Sequence, residues 1–188
     1  MKKIIAALIA SAMVMSLAGC GKTGIAGAAD WVASDDSITA EKLEDGSYYY
    51  EGRIGSTMKT AWFDFTIEDA YVTHDSVGNY TANNGNALVV VEITVKNTFT
   101  ESVPMWNYDF QLIWGEGDND FTWPVEESGI IADQFPEEYD LSVSETRTGY
   151  YVYEVPGGMT DFAIAFTEYY EDNTEGDNFW IYFTPDEK

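Results

Sequence analysis

The chain has 188 residues, of which 33 are acidic and 9 basic, for a net charge of −24. Six Trp, 13 Tyr and 10 Phe give it too much apolar bulk for a disordered acidic tail, which needs low hydrophobicity as well as charge. The acidity excludes a nucleic-acid partner, because phosphate binding needs a basic face, and the single Cys and single His exclude an internal disulfide, a Cys-rich zinc site and most imidazole chemistry.

Met1, Lys2 and Lys3 supply a positive start, and Ile4 to Leu17 is apolar except for Ser11 and Ser16. This order predicts a secretory signal over residues 1–19, with an apolar run too short for a permanent membrane span. Its end, Leu17-Ala18-Gly19-Cys20, resembles the lipobox of bacterial lipoproteins. The resemblance implies a diacylglyceryl thioether on Cys20, cleavage before it and acylation of the new N-terminus. One acyl chain holds a protein reversibly and two or three hold it for practical purposes, so the expected location is the extracytoplasmic face of a cell membrane. Loss of Lys2 and Lys3 leaves 7 basic residues against 33 acidic and a charge of −26. The anchor is therefore expected to be lipid alone, since anionic headgroups repel such a body.

Gly21 to Ala29 is small and without period, and Asp30 to Asp45 is polar and uneven around Trp31. Residues 20–45 are expected to form the lipidated N-terminus and a flexible tether, with an r.m.s. reach of roughly 25–30 Å.

Residues 46–188 amount to one domain, and its apolar residues alternate with the period of strands. Phe63, Phe65 and Ile67 share one face and Trp62, Asp64, Thr66 and Glu68 the other. Val89, Val91, Ile93 and Val95 line up, as do Phe110, Leu112 and Trp114, Tyr151, Tyr153 and Val155, Phe162, Ile164 and Phe166, and Phe179, Ile181 and Phe183. Turn signals fall between them at Asn83-Asn84-Gly85-Asn86, at 115–120 between a 107–114 strand and the 121–123 strand, at Pro156-Gly157-Gly158, and at 171–178. Residues 126–140, with poor periodicity and Pro136, read as a long crossing connection. Short strands at regular spacing with one buried face each predict an all-β, antiparallel sandwich or barrel.

The segments Thr60 to Ile67, Gly85 to Thr98 (ending Val95-Lys96-Asn97-Thr98), Asp109 to Leu112 and Gly149 to Pro156 together resemble the DUF4352 family and its telokin-like relatives, found on secreted and lipid-anchored bacterial proteins. The similarity spans about 60 to 183. It implies an immunoglobulin-like β-sandwich and no established enzyme activity, so no catalytic residues carry over.

The residues themselves also point away from an enzyme. There is no Gly-x-Ser-x-Gly elbow and no His-Glu-x-x-His, and His74 reads as an exposed turn histidine. Glu116, Asp118 and Asp120 offer oxygen ligands in a Gly-containing turn and are the candidate calcium site, although the spacing does not match a calcium loop; otherwise no cofactor is expected. Outward-facing Trp62, Trp180, Tyr182 and Trp106 are the candidate binding residues, because large rings on a wet face are either covered by a loop or available to a partner. The expected role is a non-catalytic binding or accessory module for an extracytoplasmic protein, peptide or wall polymer, with a cationic partner favoured by charge. A carbohydrate-binding module and a calcium-dependent adhesion module are the alternatives.

Overall fold

The computed structural model describes residues 38–170 and 172–188. The signal segment, Cys20 and the tether as far as residue 37 lie outside the described residues. In chain order the elements are β1 (Thr39–Lys42), β2 (Tyr48–Arg53), β3 (Thr57–Lys59), β4 (Phe63–Thr73), β5 (Asn86–Asn97), β6 (Val103–Trp106), a 3-10 turn (Asn107–Asp109), β7 (Gln111–Ile113), β8 (Phe121–Thr122), β9 (Glu138–Leu141), β10 (Thr146–Pro156), β11 (Phe162–Tyr169), β12 (Glu175–Phe183) and β13 (Asp186–Glu187). A six-stranded sheet runs β1-β2-β12-β11-β7-β8, and a five-stranded one runs β10-β5-β4-β13 with β3 also on β4. A short β6–β9 ribbon stands beside them. The architecture is the expected immunoglobulin-like β-sandwich, and two pairings within it, β2–β12 and β13–β4, are parallel.

Alternation places the core. Phe63, Phe65 and Ile67 of β4 face Phe162, Ile164 and Phe166 of β11 and Phe179, Ile181 and Phe183 of β12, all buried. A bulge between Ile67 and Asp69 transfers the inward phase of β4 to Ala70. Val89, Val91, Ile93 and Val95 of β5 and Tyr151, Tyr153 and Val155 of β10 complete the layer. Full burial of each such side chain contributes roughly 1.5–3 kcal/mol.

The structure departs from the sequence reading at four places. β1 falls inside the stretch read as tether, because Thr39–Lys42 are all exposed and are held by backbone pairing to Tyr48–Glu51, which leaves no apolar signature. The supposed 107–114 strand breaks at the 3-10 turn, so β6 pairs with β9 while β7 joins the six-stranded sheet. The last turn is shorter than read, with β12 beginning at Glu175. The 126–140 connection ends in β9, and its earlier part lies along the free edge of β10: Val125 donates to the Val152 carbonyl at 2.8 Å, Phe135 to that of Tyr150 at 3.0 Å, and Tyr150 to that of Asp133 at 3.1 Å.

The turn at Asn83–Asn86 is tied to β10 by one carboxylate. Glu154 accepts from the Tyr80 hydroxyl at 2.7 Å, the Asn83 backbone at 2.8 Å, and the side-chain amides of Asn83 at 2.7 Å and Asn86 at 2.6 Å. Partial burial alone would raise this carboxyl, but the donors of Asn86, Tyr80 and Asn83 outweigh it and hold it below the usual range. A lowered folded-state pKa gives stability that is present above the unfolded value and lost as pH falls through the folded one. Glu154→Ala is expected to cost about 1.5–3 kcal/mol at pH 7. In urea unfolding followed from pH 7 to pH 4, the gap between variant and parent narrows towards the acid end; a gap independent of pH would contradict the assignment.

Candidate binding face

The two sheets treat their outer faces differently. On the five-stranded sheet, Leu88, Val90 and Val152 point outward and are fully buried beneath Val77 and Ile130, with Tyr80, Ala82, Val125 and Ile131 packed around them. These covering residues come from the 74–82 loop and the 124–135 connection, so the chain roofs this apolar face itself. The rest of the same face is polar, with Thr57 bonded to Thr66 at 2.9 Å and Thr94 to Thr148 at 2.8 Å.

The outer face of the six-stranded sheet is built from rings. Strand register places Tyr182 beside Ala163, Ala163 beside Ile113, and Ile113 beside Phe121. The next row runs Trp180, Ala165, Gln111, and the one after pairs Asn178 with Thr167. From β2, Tyr49 reaches Trp180 with ring centroids 5.8 Å apart, and its hydroxyl bonds that of Tyr182 at 2.6 Å. Trp180 and Tyr182 stack at 6.0 Å and 26°. At the other margin Phe121 meets Trp123 edge-on at 5.1 Å, and Trp123 is exposed. Ala163 and Ala165 are buried although they point outward, because the large side chains on both sides overtop them. The surface presented is thus two aromatic rims over a small-residue floor, with Gln111, Thr167, Asn178, Glu51 and Arg53 as polar groups among them.

Burial raises the Tyr49 hydroxyl far above its ordinary value, reinforced by Tyr182, and burial lifts Tyr182 to about 12. Both phenols therefore stay neutral at any physiological pH. Burial also raises the Glu51 carboxyl on the same face.

The four candidate rings do not form one site. Trp180 and Tyr182 are brought together. Trp62 belongs elsewhere: it precedes β4 in a turn held by Thr60, whose hydroxyl accepts from the Phe63 backbone at 3.1 Å. The strand's alternation does not extend to it, and its ring packs against the core and against Tyr170 at 5.6 Å. Next to it the buried Glu168 accepts from the Ala61 backbone at 2.6 Å, a tie between sheets. Trp106 stands at the end of β6 and stacks on Tyr108 at 6.0 Å and 18°. A shallow cleft of about 270 Å³ lies by this corner, lined by Asn107, Tyr108, Trp123, Pro124, Glu126 and Glu137.

Of the candidate calcium ligands, Asp120 is turned back on its own loop, accepting from the Gly117 backbone at 2.9 Å. Among the described residues no three His, Cys, Asp or Glu side chains are grouped to hold a metal, so Glu116, Asp118 and Asp120 are not brought together as a ligand set. Sequence reasoning missed Ile113, Phe121 and Trp123. The available signal was the small Ala163-x-Ala165 pair in an otherwise bulky strand, at the same two-residue spacing as Trp180-x-Tyr182. It becomes legible only once the register sets one pair beside the other.

Fold and face together define an acidic immunoglobulin-like sandwich with an aromatic sheet surface. The chain belongs to the family described as a domain of unknown function, DUF4352, whose model matches residues 52–175. Among solved structures it is similar to ycdA of Bacillus subtilis, a candidate lipoprotein (13% identity, TM-score 0.49, 68% of this chain and 38% of that one). It is also similar to yjhA of Bacillus subtilis (18% identity, TM-score 0.48, 69% of this chain and 98% of that one). A third likeness is to an uncharacterized β-sandwich protein of Clostridium difficile (14% identity, TM-score 0.45, 71% and 93%). The chain spans well under half the length of ycdA. No curated relative matches it.

Proposed function

We propose that this protein is a non-catalytic binding module, held by a lipid on Cys20 at the extracytoplasmic face of the membrane, and that it binds through the outer face of the six-stranded sheet. The observation that carries the reading is the contrast between the two outer faces. The chain spends two loops covering Leu88, Val90 and Val152, while Tyr49, Trp180, Phe121 and Trp123 lie outside both apolar clusters and pack on one another in pairs. Trp and Tyr supply large, rigid contact area of the kind that anchors interfaces. The net charge of −24 favours a cationic protein, peptide or wall polymer, through faster encounter and better discrimination.

The test is saturable binding of the labelled protein to envelopes of its own host at increasing salt. Binding is expected to weaken several-fold between 0.05 and 0.5 M NaCl, as about a threefold shorter screening length implies. Trp180→Ala is expected to weaken it a further five- to tenfold with an unchanged circular dichroism spectrum. Binding that ignores salt but is lost in Trp180→Ala, and that purified glycans compete away, would replace the cationic partner with a carbohydrate. Binding untouched by Trp180→Ala would remove this face from the reading.

A further inference from the structure

The corner between β6 and β7 contains a carboxyl group with no cation to meet it. Asp109 is buried at the end of the 3-10 turn, and its Oδ2 accepts from the Trp106 backbone at 2.7 Å, which closes the turn on itself. Its Oδ1 is buried without a hydrogen-bond partner, and the buried hydroxyls of Tyr139 and Tyr151 near it find hydrogen-bonding partners only in each other. These groups share one nook. Phe135 stacks on both tyrosines at 5.1 Å, Phe110 contacts Tyr151 at 5.8 Å, and Asp109 acts electrostatically on both hydroxyls.

The other charged and titratable groups around the nook do not offset an ionised Asp109. Tyr108, on the same turn, is itself raised by burial and then by Asp109, Glu138 and Glu137. The cation over the Tyr139 ring, Arg147 at 4.7 Å, is already paired with Glu145 at 2.9 Å. Tyr153, next along β10, donates its hydroxyl to the Phe110 carbonyl at 3.2 Å. An ionised carboxylate here would be a buried charge with no cation beside it and only neutral donors, which is among the more costly arrangements a fold can hold.

We propose that Asp109 is a proton-operated latch: with its carboxyl neutral, the Val103–Phe110 corner is clamped down, and loss of the proton releases that corner together with the Trp106–Tyr108 ring stack it carries. Neutral Asp109 keeps its bond to the Trp106 backbone and presents an O–H beside the two buried phenols. Ionised Asp109 keeps at most the Trp106 bond and a phenol donor, with no cation, too little for a carboxylate stripped of water, so it gains by reaching solvent, and the path outward unseats Trp106, Asn107 and Tyr108. Burial lifts the carboxyl to about 7, against the Trp106 bond that pulls it down. A pKa raised in the folded state favours folding fully below the unfolded value near 4, and that advantage is lost as pH rises through about 7. The corner is therefore tight in acid and loose in mild alkali, the reverse of the Glu154 tie.

Hydrogen exchange of the native protein in mild detergent, read by mass spectrometry and corrected for intrinsic exchange rates, tests this. Peptides covering residues 103–110 are expected to lose at least tenfold protection between pH 5.5 and 8.5, while those from the centres of β5 and β10 keep theirs. Asp109→Asn is expected to abolish the pH dependence. The wild-type series is repeated in 0.5 M NaCl, where a screening length of about 4–5 Å suppresses repulsion among surface carboxylates but leaves a buried titration in place. Persistence of the transition in high salt supports the latch even if the Asn variant does not fold. Protection independent of pH, or a transition that disappears in salt, overturns it.

Discussion

Replacing Phe65 by Ala is expected to lower the unfolding free energy by about 3–5 kcal/mol, the usual cost of deleting a ring from a packed core. Phe65 is one of the rings, with Phe63, through which the sheets hold each other. It lies on β4 of the five-stranded sheet and meets Phe166 at 6.1 Å and Phe179 at 6.3 Å on the six-stranded one. It also meets Phe63 at 6.2 Å and Phe110 at 5.2 Å, mostly edge to face, the arrangement ring quadrupoles prefer. A cavity at that point is bordered by other rings, which cannot collapse into it without leaving their own contacts. Phe65→Leu, which keeps most of the volume, is expected to cost only about 1–1.5 kcal/mol. Urea unfolding of parent and both variants checks the pair. Equal losses for Leu and Ala would mean that ring geometry, and not volume, sets the stability of this core.

The same residues show why the sheets were legible in the chain and the binding face was not. Phe63, Phe65 and Ile67 face a dry interior, so their period-two spacing is written in the sequence and survives in the structure. β1 and β13 are exposed throughout, and their pairing rests on backbone bonds that any residue type can make; Thr39–Lys42 therefore looked like tether. The Trp180 and Tyr182 phase was correct because β12 is regular around them. Trp62 was misread because alternation was carried one residue past the start of β4. The roof over Leu88 and Val90 could not be anticipated. β5 reads as apolar on both faces at that end, which says that something covers the second face, while the covering residues Val77, Ile130 and Ile131 are scattered through loops with no period of their own. Ala163 and Ala165 carry no signal until β7 and β12 are known to flank β11.

The roof leads to the second large effect, at Gly149. This glycine is buried in mid-β10 opposite Ile93, and its importance is one of space. A Cβ placed on it would lie 2.5 Å from the Asp133 carbonyl oxygen and 2.9 Å from the Phe135 ring. Both neighbours belong to the 124–135 connection, which is bonded to Tyr150 on either side of the point of contact. A side chain at 149 therefore cannot be absorbed by a rotamer change; the backbone of the connection must move away from the strand edge, and the bonds through Asp133 and Phe135 break with it. Gly149→Val is expected to destabilise the protein by about 3–4 kcal/mol, overpacking and two backbone hydrogen bonds together. Its signature differs from that of Phe65→Ala. Lifting the connection uncovers Leu88, Val90 and Val152, so the folded variant should bind the dye ANS, and exchange protection should fall first in residues 124–135. Trp180 and Tyr182 are on the opposite sheet and keep their stacking, so whatever binds that face should still bind the folded fraction of the variant. A Gly149→Val protein that keeps its stability and excludes ANS would show that the connection is not seated on β10, and the contrast between a roofed sheet and a ring-bearing one would then no longer distinguish the two faces.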